Sequence, residues 1–307
     1  MRFLEFSAFR GHEFRSNQAW AEWNLGPGQL PPAWAVGSAD SGVVADQTTL
    51  ILHWDGSNWS VVASPSPGTG GLNALYKVQA TSAGDVWAVG SFTNSGAFAQ
   101  TLVERWTGQA WSVVSSPNVS STNNELYDVV TLGTGNVWAV GYSGYEQYVT
   151  LIEHWNGGQW AIVPSPNPRP ISQFSSILEA LSATGSGDIW TAGRTTIELN
   201  GADSTLVEHW NGSAWSIVPS VNGGPAPSDL YGVAAAAPGD AWSVGVTFAY
   251  PLIERWNGSA WSVFTGPKPS GVLFSVAVIS SCDVWAAGQT NAINVGNQTL
   301  SERFTCN

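Results

Sequence analysis

Tyr142, Tyr145, Glu146 and Tyr148 place three phenol rings and a carboxylate within seven residues. Such a cluster suits a sugar. The apolar face of the sugar stacks on an aromatic ring, and its hydroxyls bond to nearby carboxylate and amide groups. Phe98, Phe248 and Tyr250 supply further aromatic groups, and Asp40 and Asp46 supply carboxylates, in segments of the same kind. These nine residues are the candidate ligand-binding set. No G-x-S-x-G elbow, phosphate loop or H-E-x-x-H motif occurs. Glycoside hydrolysis needs two positioned carboxylates, and no pair is marked by spacing. No catalytic residue is therefore assigned, and no cofactor or metal is expected.

Three other groups of residues have the right chemistry but the wrong distribution. His53, His154 and His209 each precede a tryptophan, at positions where other segments carry Arg105, Arg255 and Arg303. Repeat-equivalent histidines lie too far apart for one ion at the roughly 2 Å that zinc ligation requires. Glu104, Glu153, Glu208, Glu254 and Glu302 also recur at one position, which argues for structure over a unique acid–base pair. They are expected to partner a basic residue of the adjacent unit, or backbone. Asp85, Asp188, Asp240 and Asp283 read as turn residues.

These groups recur because the chain is a repeat. An x-W-A-V-G-type motif is centred on Trp34, Trp87, Trp138, Trp190, Trp242 and Trp285, about every 52 residues. A T-L-x-E-[HR]-W-type motif ends at Trp54, Trp106, Trp155, Trp210, Trp256 and Phe304. A third tryptophan follows at Trp59, Trp111, Trp160, Trp215 and Trp261. Within a unit, short apolar runs alternate with Gly, Asn, Asp and Pro, including Asp55-Gly56, Asn156-Gly157, Asn211-Gly212 and Asn257-Gly258. This is the pattern of four antiparallel strands joined by tight hairpins.

The expected fold is all-β: a six-bladed β-propeller of four-stranded antiparallel blades spanning residues 17–307, with residues 1–16 a non-repeat arm. The last unit lacks a fourth strand, and Gln18-Ala19-Trp20 resembles one, so an N-terminal strand is expected to close the last blade and remove its exposed edge. Trp20 and Trp34 stand too close for a normal innermost strand in the first unit. Alternate loops share a face, and the longer, variable second-to-third and fourth-to-first loops make that face the expected functional one.

The runs D-V-W-A-V-G and T-L-[VI]-E-H-W-N-G-x-x-W-S-[VI]-V-P-S-P-N-P, clearest over Val137–Pro168 and Ile189–Ser220, resemble tandem repeats of secreted, largely uncharacterised bacterial β-propeller proteins, and more loosely kelch repeats. The resemblance implies architecture and is silent on activity.

Of the whole chain, 10% is charged, and the net charge is −12. That balance argues against nucleic acid and anionic membrane surfaces as partners. No stretch is long and apolar enough to span a membrane, and no secretory signal is visible. Few lysines and two cysteines, Cys282 and Cys306, point to an extracellular or cell-surface protein with a disulfide pinning the chain end. The sequence reading is a non-enzymatic binding propeller, a monomer or assembly unit, recognising a glycan or a protein at the cell surface. Its alternatives are a structural propeller of a surface layer or filament, and a carbohydrate-active enzyme with carboxylates at the central channel.

Overall fold

The structure, a computed structural model, describes residues 32–40, 47–94, 96–168, 175–196, 203–223, 227–248, 250–264, 270–292 and 296–305. These form six antiparallel sheets. The first holds β1 (Ala33–Asp40), β2 (Gln47–Trp54) and β3 (Trp59–Val62). The second holds β4 (Asn73–Ser82), β5 (Asp85–Phe92), β6 (Gln100–Trp106) and β7 (Trp111–Val113). The third holds β8 (Asn123–Thr131), β9 (Val137–Tyr145), β10 (Gln147–Trp155) and β11 (Trp160–Ile162). The fourth holds β12 (Ser176–Gly185), β13 (Asp188–Thr196), β14 (Asp203–Trp210) and β15 (Trp215–Ile217). The fifth holds β16 (Ser228–Ala237), β17 (Asp240–Thr247), β18 (Tyr250–Trp256) and β19 (Trp261–Val263). The sixth holds β20 (Gly271–Ser280), β21 (Asp283–Ala292) and β22 (Gly296–Thr305).

Among the described residues the first sheet has no innermost strand, as the short first unit led us to expect, and the sixth no outermost one. Residues 1–31, including Trp20, lie outside the described residues. No described helix is long and apolar enough to cross a membrane.

The tryptophan spacing is a packing code between sheets. Trp87 of β5 packs against Trp155 and Trp160 of the next sheet, at 5.1 and 5.5 Å between ring centroids. Trp34 meets Trp106 and Trp111, Trp138 meets Trp210 and Trp215, and Trp190 meets Trp256 and Trp261 in the same way. Each second-strand indole therefore sits against the third- and fourth-strand indoles of its successor, where large rings fill the widening gap between sheets. In the last unit Phe304 takes the third-strand place, stacked on Trp242 at 5.5 Å, and Phe264 packs edge-on against both rings.

The polar letters of the repeat are latches. The motif threonine bonds the serine of the loop leaving the fourth strand: Thr101–Ser116 at 2.6 Å, Thr150–Ser165 at 2.7 Å, Thr205–Ser220 at 2.8 Å. The Asn-Gly turns use Asn156, Asn211 and Asn257 Oδ1 to accept backbone N–H groups two and three residues on, with Gly157, Gly212 and Gly258 at φ of 95°, 93° and 91°.

The histidines and arginines before the third-strand tryptophan belong to this frame. His154 stacks on Trp138 and bonds Asn136 Oδ1 at 2.9 Å. His209 lies on Trp190 and bonds Asp188 Oδ1 at 2.7 Å. Arg105, Arg255 and Arg303 replace them, each over its own sheet's tryptophan and paired to Asp85, Asp240 and Asp283. The aspartates read as turn residues are thus the partners of the basic side chains, and the repeated glutamates are not.

Those glutamates are enclosed instead. Glu104, Glu153, Glu208 and Glu254 are fully buried in the core. Glu254 accepts the Val221 N–H at 2.7 Å. The repeat puts Pro65, Pro117 and Pro166 at the position of Val221, and proline has no N–H to give. Burial pushes all four carboxyls up to about 8. Their folded values lie above the unfolded ones, so this contribution to stability is complete below about pH 4.5 and is lost as pH rises through about 8. Thermal melts should therefore show a falling melting temperature from pH 5 to pH 9, and Glu153→Gln should flatten that slope. A variant as pH-sensitive as the parent would refute the assignment.

Candidate functional site

Five described inner strands, β4, β8, β12, β16 and β20, are built on one pattern. A buried leucine recurs at Leu75, Leu126, Leu178, Leu230 and Leu273, and a β-bulge follows it in every case. The bulged residues are Tyr76, Tyr127, Glu179, Tyr231 and Phe274. A bulge leaves its residue out of the ladder and re-aims its side chain. Immediately before each leucine stand Ala74, Glu125, Ile177, Asp229 and Val272. The scaffold thus repeats while these two positions change from unit to unit.

The glycine of each W-A-V-G-type motif makes this row possible. A Cβ on Gly141 would lie 1.9 Å from the Glu125 carbonyl oxygen, and one on Gly245 1.9 Å from that of Asp229. Gly90, Gly193 and Gly288 meet their inner strands in the same way. Gly37 of the first sheet, which has no described inner strand, would meet nothing within 4 Å.

Two polar clusters result. In the second and third sheets, Glu125 accepts hydrogen bonds from Tyr142 Oη at 2.6 Å and Tyr76 Oη at 3.3 Å. Tyr76 also shares a hydrogen bond with Ser91 at 2.9 Å. Tyr76, Tyr127, Tyr142 and Tyr148 form a continuous run of ring contacts, with centroids 5.5, 5.6 and 4.7 Å apart. Burial, then the Glu125 carboxylate, raises the Tyr142 hydroxyl far above its ordinary range, so it stays a neutral donor.

In the fourth and fifth sheets, Arg194 Nη1 bonds Glu179 Oε1 at 3.0 Å, and its Nε lies 4.0 Å from Asp203 Oδ2. Asp229 and Tyr231 complete the group, joined through Tyr231 Oη to Asp229 Oδ2 at 3.0 Å. Burial raises the Asp229 carboxyl above the usual aspartate range. Arg194 pulls it down, and the like charge of Asp203 pushes it up again. Burial would lower the Arg194 guanidinium, but Glu179 and Asp229 more than offset this and hold it raised. A carboxyl raised by burial beside an ion-paired carboxylate is a combination acid–base chemistry can use.

The nine sequence-predicted site residues divide. Tyr142 and Tyr148 join the Glu125 cluster, Tyr142 as a buried member. Tyr145 is exposed and pairs with Phe98 at 5.3 Å. Glu146, at φ 63°, forms the β9–β10 hairpin tip with Tyr145. Phe248 and Tyr250 are exposed at the β17–β18 tip, Phe248 at φ 57°. These two tips lie at the Glu125 and Asp229 ends of their sheets, because Glu125 pairs with Tyr142 and Asp229 with Val246. Asp40 ends β1 opposite Gln47, apart from both clusters. Asp46 lies outside the described residues. Cys282 is disulfide-bonded, and Cys306 lies outside the described residues. No group of three His, Cys, Asp or Glu able to hold a metal occurs among the described residues.

Sequence reasoning missed Glu125, Glu179, Arg194, Asp229 and Tyr231. The signal was present: four are the varying letters on either side of a constant leucine, and Arg194 pairs across from Ile177, the letter before one.

No protein-family model matches the sequence, and no curated protein is significantly similar to it. Solved structures do share its fold. A protein of unknown function from Dyadobacter fermentans is 11% identical, with a TM-score of 0.60 over 95% of this chain and 94% of that one. An α-L-arabinanase from Penicillium chrysogenum, complexed with arabinobiose, is 10% identical, with a TM-score of 0.56 over 95% and 94%. A PL25 polysaccharide lyase, an ulvan lyase, is 10% identical, with a TM-score of 0.57 over 95% and 80%. A WD40 β-propeller domain, a xyloglucanase and an α-L-arabinofuranosidase are also similar. At these identities the likeness shows the fold, which is that of β-propellers. The expectation of a non-enzymatic binding protein is corrected here, because several of these structures sharing the fold are carbohydrate-active enzymes.

Proposed function

We propose that the chain is a carbohydrate-active enzyme that hydrolyses a glycosidic bond at its inner strands, with Asp229 and Glu179 as the carboxylate pair. One observation carries this reading: Glu179, Asp203 and Asp229 gather around Arg194 at positions where the repeat is otherwise free to place apolar residues. Asp229, raised by burial, gives its proton to the glycosidic oxygen as the bond to the anomeric carbon breaks. Glu179 takes the proton of the water that attacks that carbon. Arg194 holds the Glu179 carboxylate in place, and Tyr231 orients Asp229. Arabinobiose in the arabinanase supports a sugar as the ligand class.

The test is release of reducing ends from a panel of polysaccharides by the purified chain, with Glu179→Gln beside it. The reading expects turnover that falls by about 10²-fold or more in the variant. Turnover equal in parent and variant would place the chemistry elsewhere.

In the finer architecture we infer, the six sheets are blades of one ring, closed by the segment around Trp20 as fourth strand of the sixth sheet. Among the described residues, an innermost strand missing from the first sheet and an outermost one missing from the sixth support this. Deleting residues 1–23 should lower the melting temperature by roughly 10 °C or more, as exposing an uncovered sheet edge and its apolar face predicts. An unchanged melting temperature would remove the closing strand from the account.

A further inference from the structure

We infer that the glycan this site accepts is uncharged, and that acidic polysaccharides are excluded from it; the inference rests on the hydrolase reading above. Every lysine and arginine among the described residues is already in an ion pair: Lys77 with Asp128, Arg105 with Asp85, Arg194 with Glu179, Arg255 with Asp240, and Arg303 with Asp283. Only Lys77 and Arg194 belong to the inner-strand region. Arg105, Arg255 and Arg303 serve the tryptophan frame far along the third strands.

Lys77 lies 3.4 Å from Asp128, whose other oxygen accepts the Leu181 N–H at 2.8 Å, tying the second, third and fourth sheets together. Arg194 is shared between Glu179 and Asp203. Against these two cations stand Glu125, Asp128, Glu179 and Asp203, with Asp229 as the proton donor. The donors facing Glu125 are neutral phenols.

Among the described residues, a uronate or sulfate ester entering this region meets net negative charge and no cation outside an ion pair. Cleaving a uronate by β-elimination would also require its carboxylate to be neutralised so that the neighbouring carbon gives up a proton, and no described group is available for that. A neutral sugar meets acceptors for its hydroxyls and tyrosine rings for its apolar face. The fold therefore serves acidic and neutral polymers in different proteins, and the charge of this lining selects the neutral ones.

The experiment offers the intact chain arabinan and xyloglucan as neutral polymers and ulvan and polygalacturonate as acidic ones. Affinity electrophoresis reads binding, reducing-end release reads cleavage, and ultraviolet absorbance of unsaturated uronate ends reads elimination. The expected result is retardation and cleavage by a neutral polymer, with at least tenfold weaker retardation by either acidic one at low salt. Glu125→Gln with Asp203→Asn should narrow that difference. Retardation that is stronger with an acidic polymer, unsaturated products, or no retardation by any polymer would overturn the inference. Neutral-selective retardation without cleavage would leave the charge selection standing and sink the hydrolase reading.

Discussion

Gly245→Ala should cost this protein most of its stability, while the equivalent Gly37→Ala should cost almost nothing. Both glycines occupy the same letter of the W-A-V-G-type repeat. The difference is the inner strand. A Cβ on Gly245 would stand 1.9 Å from the Asp229 carbonyl oxygen, 2.8 Å from the Asp229 carbonyl carbon and 2.8 Å from the Leu230 Cα. All three are backbone atoms that no rotamer change can relieve, so β16 must move away from β17. Leu230, fully buried in the fourth-to-fifth-sheet core, moves with it. Displacing a strand that carries a core leucine belongs among the rare substitutions costing on the order of 4–5 kcal/mol. Thermal unfolding of the two variants side by side is the check. Equal shifts would mean that the glycine serves the repeat in some way other than close approach of the inner strand.

Asp229→Asn should lower kcat by about 10²–10⁴-fold without a matching loss of stability. The substitution keeps the side chain's shape and its hydrogen bond to Tyr231, and removes only the acidic proton. The parent's kcat/KM should fall on the alkaline side at a pH above the ordinary aspartate range, because burial raises that carboxyl and Asp203 raises it further. Asp203→Asn removes a like charge and should move that limb to lower pH. A pH profile that is unchanged in Asp203→Asn would detach Asp229 from the proton-donating step.

The frame was legible in the sequence to an unusual degree, because a repeat writes the same physical requirement several times. The three tryptophans per unit encoded contacts between neighbouring sheets, and the Asn-Gly pairs encoded hairpins at positive φ. The short first unit was visible as the small Trp20–Trp34 separation, and the same position is where Gly37 meets no described inner strand. The aromatic cluster was legible only in part. Tyr142 and Tyr145 are three residues apart, but the strand turns one toward Glu125 and leaves the other exposed at the hairpin tip beside Phe98.

The Arg194 group was not legible for a different reason. Glu179, Asp203 and Asp229 come from three strands and belong to no local motif. Only the bulges on β12 and β16, which shift the register by one residue after Leu178 and Leu230, bring their surroundings together. The repeated glutamates misled in the opposite sense. They were expected to partner a basic residue of the adjacent unit or backbone, and among the described residues only Glu254 reaches backbone, at the Val221 N–H; successive strand residues face opposite sides of a sheet. The arginines turned to the aspartates at the start of the second strand, and the glutamates turned into the core.

The central claim is that a sugar is cleaved between Asp229 and Glu179. A crystal structure of the Asp229→Asn protein soaked with an oligosaccharide of the polymer the parent cleaves fastest tests it most directly. The predicted result is a glycosidic oxygen within hydrogen-bond distance of the substituted amide side chain, with the anomeric carbon facing Glu179 across Arg194. A sugar bound only at the Phe98–Tyr145 or Phe248–Tyr250 tips, with the Arg194 group unoccupied, would contradict it.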